Sequence, residues 1–282
     1  MTVGIAAISA HRTDDPEVVV SSDRMVTTRQ QSAIEHEHPE TKLNEIGGFL
    51  ESTHLVGVVA GGVELGEQYL KLVNQVLKLF VQDKDEEPWV RTAAEIAARE
   101  YRQLVQDKIE THALKPYGLS LDDLSRQHQF KDNFLEDILA ESDQIRRQIN
   151  RNLNLLIGGV GPDGVGVYQI NGGDHSPQND LGYATIGSGS QPAESEFIKQ
   201  DYAKDNSISD TFATVAAAHH QASKASGVGG ELDAMIVSSN GVREVDSETI
   251  EQLMDRQQEI ADEQERVREN ILNDDPVDWG EQ

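Results

Sequence analysis

Two stretches near the N-terminus decide the fold, MTVGIAAIS (residues 1–9) and EVVVSSDRMVTT (residues 17–28). The first is small and apolar, and the second is β-branched from Val18 to Val20 before it reaches Asp23-Arg24. Between them lies a polar segment that contains Pro16, the composition of a turn-rich loop. Apolar or β-branched runs on either side of such a loop predict two neighbouring strands.

The rest of the chain alternates groups of strands with groups of helices. Alternating or β-branched runs predict strands at about 41–46, 55–60, 153–159, 165–170, 183–186, 232–238 and 242–245. Apolar residues at helical spacing predict helices over about 64–81, 89–109, 192–203 and 207–223. This order predicts sheets that pack together, with helices outside them.

Two segments stand apart from this pattern. Residues from about 118 to 150 are amphipathic but rich in charge, which predicts an exposed helical insertion into a domain that spans 2–246. Residues 247–282 form an acidic tail, which is predicted to be one long helix with a disordered end from about residue 273.

The charge of the chain is strongly negative. Its 282 residues include 50 Asp and Glu against 24 Lys and Arg, a formal net charge of −26. This balance argues against nucleic acid as a partner, because phosphates need clusters of cations, and against an anionic membrane. Acids spread over the whole chain are typical of a halophile's protein, although disordered acidic tails are the alternative explanation.

Several chemistries are excluded by composition. The chain has no cysteine, so thiolate catalysis, disulfides and cysteine-bound zinc are ruled out. No apolar run is long enough to span a membrane, and no signal peptide is recognisable at the N-terminus, which together predict a soluble, cytoplasmic protein. His36 and His38 could bind a metal from one face of a strand, but a polar strand edge is the simpler interpretation. We therefore expect no metal and no cofactor.

Thr2 is the first candidate catalytic residue. Methionine is normally removed when a small residue follows it, and removal of Met1 would give Thr2 a free α-amine. Such an amine has a pKa of about 7.7–8.0 and can serve as the base for the hydroxyl of its own residue. Many proteins begin with Met-Thr, so from this dipeptide alone the alternative interpretation is an ordinary N-terminus in which Thr2 has no catalytic role.

Eight segments strengthen this hypothesis when they are taken in order. They are Thr2–Ile5, Ser22–Thr27, Lys42–Ile46, Ala60–Gly62, Leu156–Val160, Thr185–Ser190, Ser223–Gly227 and Leu232–Ala234. Over about residues 2–245 their sequence and order resemble the proteasome β-subunit family of N-terminal-nucleophile (Ntn) hydrolases, and the acidity points to a halophilic archaeon. The resemblance implies an α+β fold, a four-layer αββα sandwich of two antiparallel sheets with helices outside.

The resemblance also implies catalytic roles. Thr2 is the nucleophile, and Lys42 is the cation that lies beside its hydroxyl and favours the alkoxide. Asp23 pairs with Lys42 and keeps it charged and oriented. Ser188 and Ser226 bond the amine of Thr2 or a water that bridges to it.

Other residues are implied around the substrate. Gly61 offers its backbone N–H to the oxyanion, at a position where a side chain would crowd the substrate. Thr27 is implied to hydrogen-bond the substrate backbone. A small apolar pocket for a substrate side chain is implied to be lined by Val26, Val59 and Val63.

The function implied by the resemblance is that of a threonine-type endopeptidase or related amidase. Its substrate is a peptide or protein, and it acts in a homo-oligomeric ring, with other proteasome-like subunits or an ATPase as further partners. A catalytically inactive ring or scaffold subunit is one alternative. It is favoured by Ser223, where the family has an acidic residue, and by Thr2, which follows the position of the family nucleophile by two residues. A narrow-specificity amidase or transpeptidase that uses the same Thr2 is another.

Overall fold

The two N-terminal stretches form neighbouring antiparallel strands, which confirms this part of the prediction. The computed structural model describes residues 2–29, 33–37, 41–124 and 132–274. Strand β1 (Val3–Ser9) pairs with β2 (Glu17–Asp23), and Ile5 lies opposite Ser21. Every residue of β1 is buried, because the strand is covered by packed layers on both faces.

Strands β1 and β2 lie inside a five-stranded antiparallel sheet, sheet I. Its other members are β10 (Tyr183–Gly187) beside β1, β11 (Leu232–Ser238) beside β2, and β12 (Gly241–Glu244) at the edge. In the pairing of β2 with β11, Asp23 lies opposite Leu232. A strand from the last quarter of the chain therefore meets the end of β2 that carries the Asp-Arg pair.

A second five-stranded antiparallel sheet, sheet II, has the order β5-β6-β7-β8-β9. Its strands are β5 (Leu43–Ile46), β6 (His54–Gly61), β7 (Leu153–Gly161), β8 (Gly164–Asn171) and β9 (Asp174–Pro177). A separate hairpin of β3 (Met25–Arg29) and β4 (Ala33–Glu37) continues from the end of β2.

Seven α-helices occur in the part of the chain that the structure describes. They are α1 (Val63–Lys84), α2 (Val90–Ile109), α3 (Leu121–Leu124), α4 (Asp132–Asn152), α5 (Ser190–Lys199), α6 (Ile208–Ala222) and α7 (Ser247–Asp274). A π-helical turn, Glu110–Leu114, extends the end of α2.

Three clusters of buried apolar residues separate the layers of the molecule. One lies between the two sheets and includes Val20 and Val58. A second joins sheet I to α5, α6 and α7, and a third joins sheet II to α1 and α2. The molecule is therefore built of helices, sheet, sheet and helices, which agrees with the expected α+β arrangement of two antiparallel sheets with helices outside them.

Helix α4 is highly charged but not wholly exposed. It buries Ile138 and Ile149, and Ile149 belongs to the same core cluster as α2. Most of its other described side chains are exposed, so a narrow apolar stripe attaches a largely exposed helix to the core. An amphipathic helix can carry many charges on its outer face and still bury a narrow apolar stripe.

The acidic tail is helical over most of its length, as predicted, and forms α7. Its first turns pack beside α6 through Ile250, Leu253 and Met254, whereas Ile260 and Val267 are each 48 % exposed. The predicted disorder of its end falls largely on residues 275–282, which lie outside the described residues. Among the helices described, none is long and apolar enough to cross a membrane.

Candidate active site

Thr2 lies in a buried position at the start of β1, with 6 % of its surface exposed. Its carbonyl oxygen lies against the turn after β10, 3.4 Å from the backbone nitrogen of Gly189 and 3.5 Å from Ser188 Oγ. This approach requires glycine at position 187, where φ is +91° and a Cβ would lie 2.0 Å from the Thr2 oxygen. The backbone around Thr2 is thus fixed by the β10 turn as well as by β1.

Lys42, which immediately precedes β5, reaches the Thr2 side chain. Its Nζ donates hydrogen bonds to Thr2 Oγ1 at 2.9 Å, to Asp23 Oδ1 at 2.9 Å and to the carbonyl oxygen of Met25. A lysine ammonium has three N–H groups, so all of them have acceptors here. Burial lowers the pKa of Lys42, and the adjacent Asp23 carboxylate raises it, burial being the larger effect.

Asp23 is fully buried and holds several parts of the site together. Besides Lys42, its Oδ1 accepts a hydrogen bond from the backbone N–H of Val3 at 3.0 Å. Its Oδ2 accepts from the N–H groups of Met25 and Gly229, each at 3.1 Å. These four hydrogen bonds compensate for burying the carboxylate, and they fix Val3, the neighbour of Thr2, relative to Lys42.

Gly61 lies at the end of β6, in a conformation that excludes a side chain. Its φ is +140°, and a Cβ would lie 1.8 Å from the carbonyl oxygen of Asn152. Gly62 N–H donates to that same oxygen at 2.9 Å. Gly61 pairs with Leu153 of β7 at the end of the β6–β7 ladder.

The residues implied to line a substrate pocket fall into two groups. Val59 is partly buried beneath α1, and Val63, the first residue of α1, is 59 % exposed. The side chains of Val26 and Thr27 lie outside the described part of the structure, although their backbone belongs to β3.

A cavity of about 460 Å³ opens next to the glycine turn. It lies between the first turns of α1, the end of α2 and one side of α4, and Leu65, Lys108 and Asn152 are among its lining residues. Asn152 links the two features, because the same residue lines the cavity and accepts the hydrogen bond from Gly62.

Three serines of the compared segments lie after β10 and α6. Ser188 lies beside Thr2, and its Oγ lies 3.5 Å from the Thr2 carbonyl oxygen, around which the β10 turn wraps. Ser226 is exposed in the turn after α6 and forms no side-chain hydrogen bond with any residue that the structure describes. Ser223 Oγ donates to the carbonyl of His220 at 2.8 Å and so closes the end of α6.

The sequence predicted no catalytic role for two features that the structure places near Asp23 and Lys42. Arg24 donates to Asp233 Oδ1 from Nε at 2.9 Å and from Nη2 at 2.5 Å, which makes Asp233 a second buried carboxylate near Lys42. His219 on α6 is fully buried, and burial lowers its pKa to about 4 while the nearby Asp23 charge opposes the shift. No local signal could have revealed the first, since 209 residues separate the partners.

Within the described residues, no group of three or more His, Asp or Glu side chains is placed to hold a metal ion. The side chains of His36 and His38 lie outside the described part.

The chain was compared with known proteins. No protein-family model matches it, and no curated protein matches it significantly. The chemical character of the site therefore comes from its geometry. A hydroxyl lies in hydrogen-bond contact with a largely buried cation, and that cation is held by a buried carboxylate, an arrangement suited to activating an alcohol.

Proposed function

We propose that this chain is an N-terminal-threonine hydrolase of the proteasome type, in which Thr2 attacks a peptide or amide carbonyl after cleavage of the Met1–Thr2 bond. The observation that carries the proposal is the contact of Lys42 Nζ with both Thr2 Oγ1 and Asp23 Oδ1, each at 2.9 Å. A buried lysine that donates to a threonine hydroxyl lowers the free energy of the alkoxide relative to the alcohol.

In the first step the freed α-amine of Thr2 takes the proton of the Thr2 hydroxyl. The Oγ1–H bond breaks, a bond forms between Oγ1 and the substrate carbonyl carbon, and the carbonyl electron pair moves to the oxygen. Lys42 is not the base in this scheme. All three of its N–H groups are already donated, and its charge stabilises the developing negative charge at Oγ1.

In the second half of the reaction the tetrahedral intermediate collapses. Gly61 N–H stabilises its oxyanion, the carbon–nitrogen bond breaks, and the ammonium of Thr2 returns its proton to the leaving amine. The resulting ester on Thr2 is hydrolysed by a water that the same amine deprotonates, and the hydroxyl is restored.

The layering of the molecule supports the proposal at the level of the fold. Two five-stranded antiparallel sheets pack face to face with helices outside them, the αββα architecture of Ntn hydrolases. We extend the analogy to a homo-oligomeric ring, with other proteasome-like subunits or an ATPase as further partners. This extension rests on the fold-level resemblance alone.

The proposal is tested by intact-mass analysis of the full chain in concentrated salt, with and without a β-lactone that acylates N-terminal threonines. We expect loss of Met1 and one acyl adduct per chain, and peptide mapping should place the adduct on Thr2. Thr2→Ala should abolish the adduct, and Thr13→Ala, at an exposed threonine, should not. An unmodified chain with a free Thr2 amine, or a Thr2→Ala variant that keeps its peptidase activity, would show that the proposal is wrong.

The alternative of a catalytically inactive ring subunit is favoured by Ser223. Its hydroxyl is engaged with the α6 backbone, so it supplies no charge to orient a Thr2 amine. The two functions differ in the same experiment, because an inactive subunit loses no reactivity when Thr2 is replaced and gives no adduct.

A further inference from the structure

Arg24 lies at the point where the chain leaves sheet I. The pairing of β2 with β11 ends at Asp23 and Leu232, and the chain then continues into the separate hairpin that begins at Met25. Arg24 therefore lies beyond the last ladder pair, where no strand pairing holds the backbone. Its side chain turns back to β11 and donates to Asp233 Oδ1 from both Nε and Nη2.

The two neighbours of Arg24 are both acceptors for Lys42. Asp23 offers Oδ1, and Met25 offers its backbone carbonyl. A shift of the turn at Arg24 would move both acceptors at once, and with them the ammonium that contacts Thr2 Oγ1. The position of Lys42 thus depends on what holds Arg24.

Asp233 is well placed to hold Arg24. The residue is 8 % exposed and belongs to β11, in the interior of sheet I. Both N–H groups of Arg24 converge on the one oxygen Oδ1, and such charge-assisted hydrogen bonds are stronger than bonds between neutral groups, so they hold the guanidinium at β11. Glu231 also pairs with Arg24, at 3.1 Å, but its side chain is 55 % exposed, and exposed pairs contribute little.

We propose that Asp233 is a positioning residue for catalysis, and that it clamps Arg24 so that Asp23 and Met25 hold Lys42 against the Thr2 hydroxyl. This inference rests on the proposed function. Asp233 acts through Arg24 and needs no contact with the substrate.

The charge of Asp233 adds a second effect on the same lysine. Among the described residues, the charged groups that act on Lys42 are Asp23 from β2 and Asp233 from β11, and both raise the pKa of Lys42 against the effect of burial. The α-amine that cleavage of Met1 would free belongs to Thr2, the residue whose Oγ1 contacts Lys42 Nζ. Removing the charge of Asp233 lowers the pKa of Lys42, so the alkaline fall in reactivity moves to lower pH.

The test is the rate of Thr2 acylation by a β-lactone, measured by intact mass between about pH 5 and pH 10 on the full chain. Asp233→Asn keeps the shape of the side chain and removes its charge. We expect the second-order rate constant to fall about tenfold, with the alkaline limb at lower pH. Glu231→Gln removes the exposed carboxylate from the same arginine and should change the rate by less than about twofold.

The outcomes separate the two proposals. If the unmodified protein is not acylated, the proposed function fails. If it is acylated, but Asp233→Asn reacts as fast as the parent, or loses rate with an unmoved alkaline limb, the clamp is wrong and the proposed function stands. Should Asp233→Asn not fold, Arg24→Lys is measured instead. It keeps the charge but loses the paired donation, so a slower acylation at unchanged melting temperature supports the clamp and an unchanged rate overturns it.

Discussion

Asp23 Oδ2 accepts a hydrogen bond from the backbone N–H of Gly229 at 3.1 Å, across 206 residues of sequence. The same carboxylate binds Lys42 and the N–H groups of Val3 and Met25. A fully buried charge is tolerated only when it is paired and hydrogen-bonded. The residue is therefore a structural centre of the site in addition to its proposed catalytic role.

Replacing Asp23 with Asn should destabilise the protein strongly. The amide presents an N–H₂ group where an oxygen now accepts hydrogen bonds, and it leaves the Lys42 cation without its buried partner. We expect the free energy of unfolding to fall by about 3 kcal/mol, measured by urea denaturation in concentrated salt. Asp205→Asn, which removes an exposed pair with Arg12, is the control and should show no resolvable change. Equal effects of the two substitutions would contradict the central role of Asp23.

Gly61→Ala should be far more damaging than an alanine at another glycine with positive φ. At Gly61 the new Cβ would lie 1.8 Å from the Asn152 carbonyl oxygen, whereas at Gly118, with φ of +71°, no atom of the described residues lies within 4 Å of it. We expect a loss of about 3 kcal/mol or more at Gly61 and about 1 kcal/mol at Gly118, again from urea unfolding. Similar losses at both positions would mean that backbone strain alone, and not the contact with the Asn152 carbonyl, requires glycine.

His219 should make the stability of the protein depend on acidic pH. Burial lowers its pKa from 6.5 to about 4, so between these values the unfolded chain binds more protons than the folded one. The stability that depends on His219 is therefore fully present above about pH 6.5 and falls as the pH is lowered toward about 4. Below about pH 4 this histidine causes no further change. The pKa difference corresponds to about 3 kcal/mol.

The measurement for this prediction is the free energy of unfolding as a function of pH from about 4 to 7.5. We expect His219→Gln to be less stable than the parent overall. Its free energy of unfolding should also depend less steeply on pH, because the histidine no longer contributes to the slope. His112→Gln, at an exposed position, should keep the slope of the parent. A His219→Gln variant with the parental slope would refute the assignment.

Salt should stabilise the protein, because its net charge of −26 produces self-repulsion that salt screens. Between about 0.2 M and 2 M KCl we expect the melting temperature to rise by roughly 5–10 °C. A variant with Glu259, Glu263 and Glu265 of α7 changed to Gln should show a smaller rise. An identical rise in both proteins would indicate that charge repulsion is not the cause.

The strands and helices that carry strong periodicity were predictable from the sequence. The β-branched run Val18–Val20 and the apolar run of β6 form buried strands, and the helical spacing in α1 and α2 is borne out. Strand β9 was not predicted, because Asp174–Pro177 is polar and ends in proline, and it pairs only at the edge of sheet II.

The site was predictable only in part. The proximity of Thr2, Asp23 and Lys42 follows from the resemblance, in which these residues occur in a known order. The Arg24–Asp233 pair could not be foreseen, since an Asp-Arg dipeptide after a strand usually marks only a turn, and its partner lies in β11. The orientation of Ser188 depends on how the β10 turn wraps the Thr2 carbonyl, which is a matter of backbone path and not of residue type.

The hydrogen bond from Gly229 to Asp23 also sets the order in which the site is completed during synthesis. Thr2 leaves the ribosome among the first residues, but the loop that carries Gly229 emerges only after four-fifths of the chain has been made. A nascent chain therefore carries Thr2 long before the surroundings of that residue exist. The geometry that the proposed function requires is therefore assembled only when translation is nearly finished.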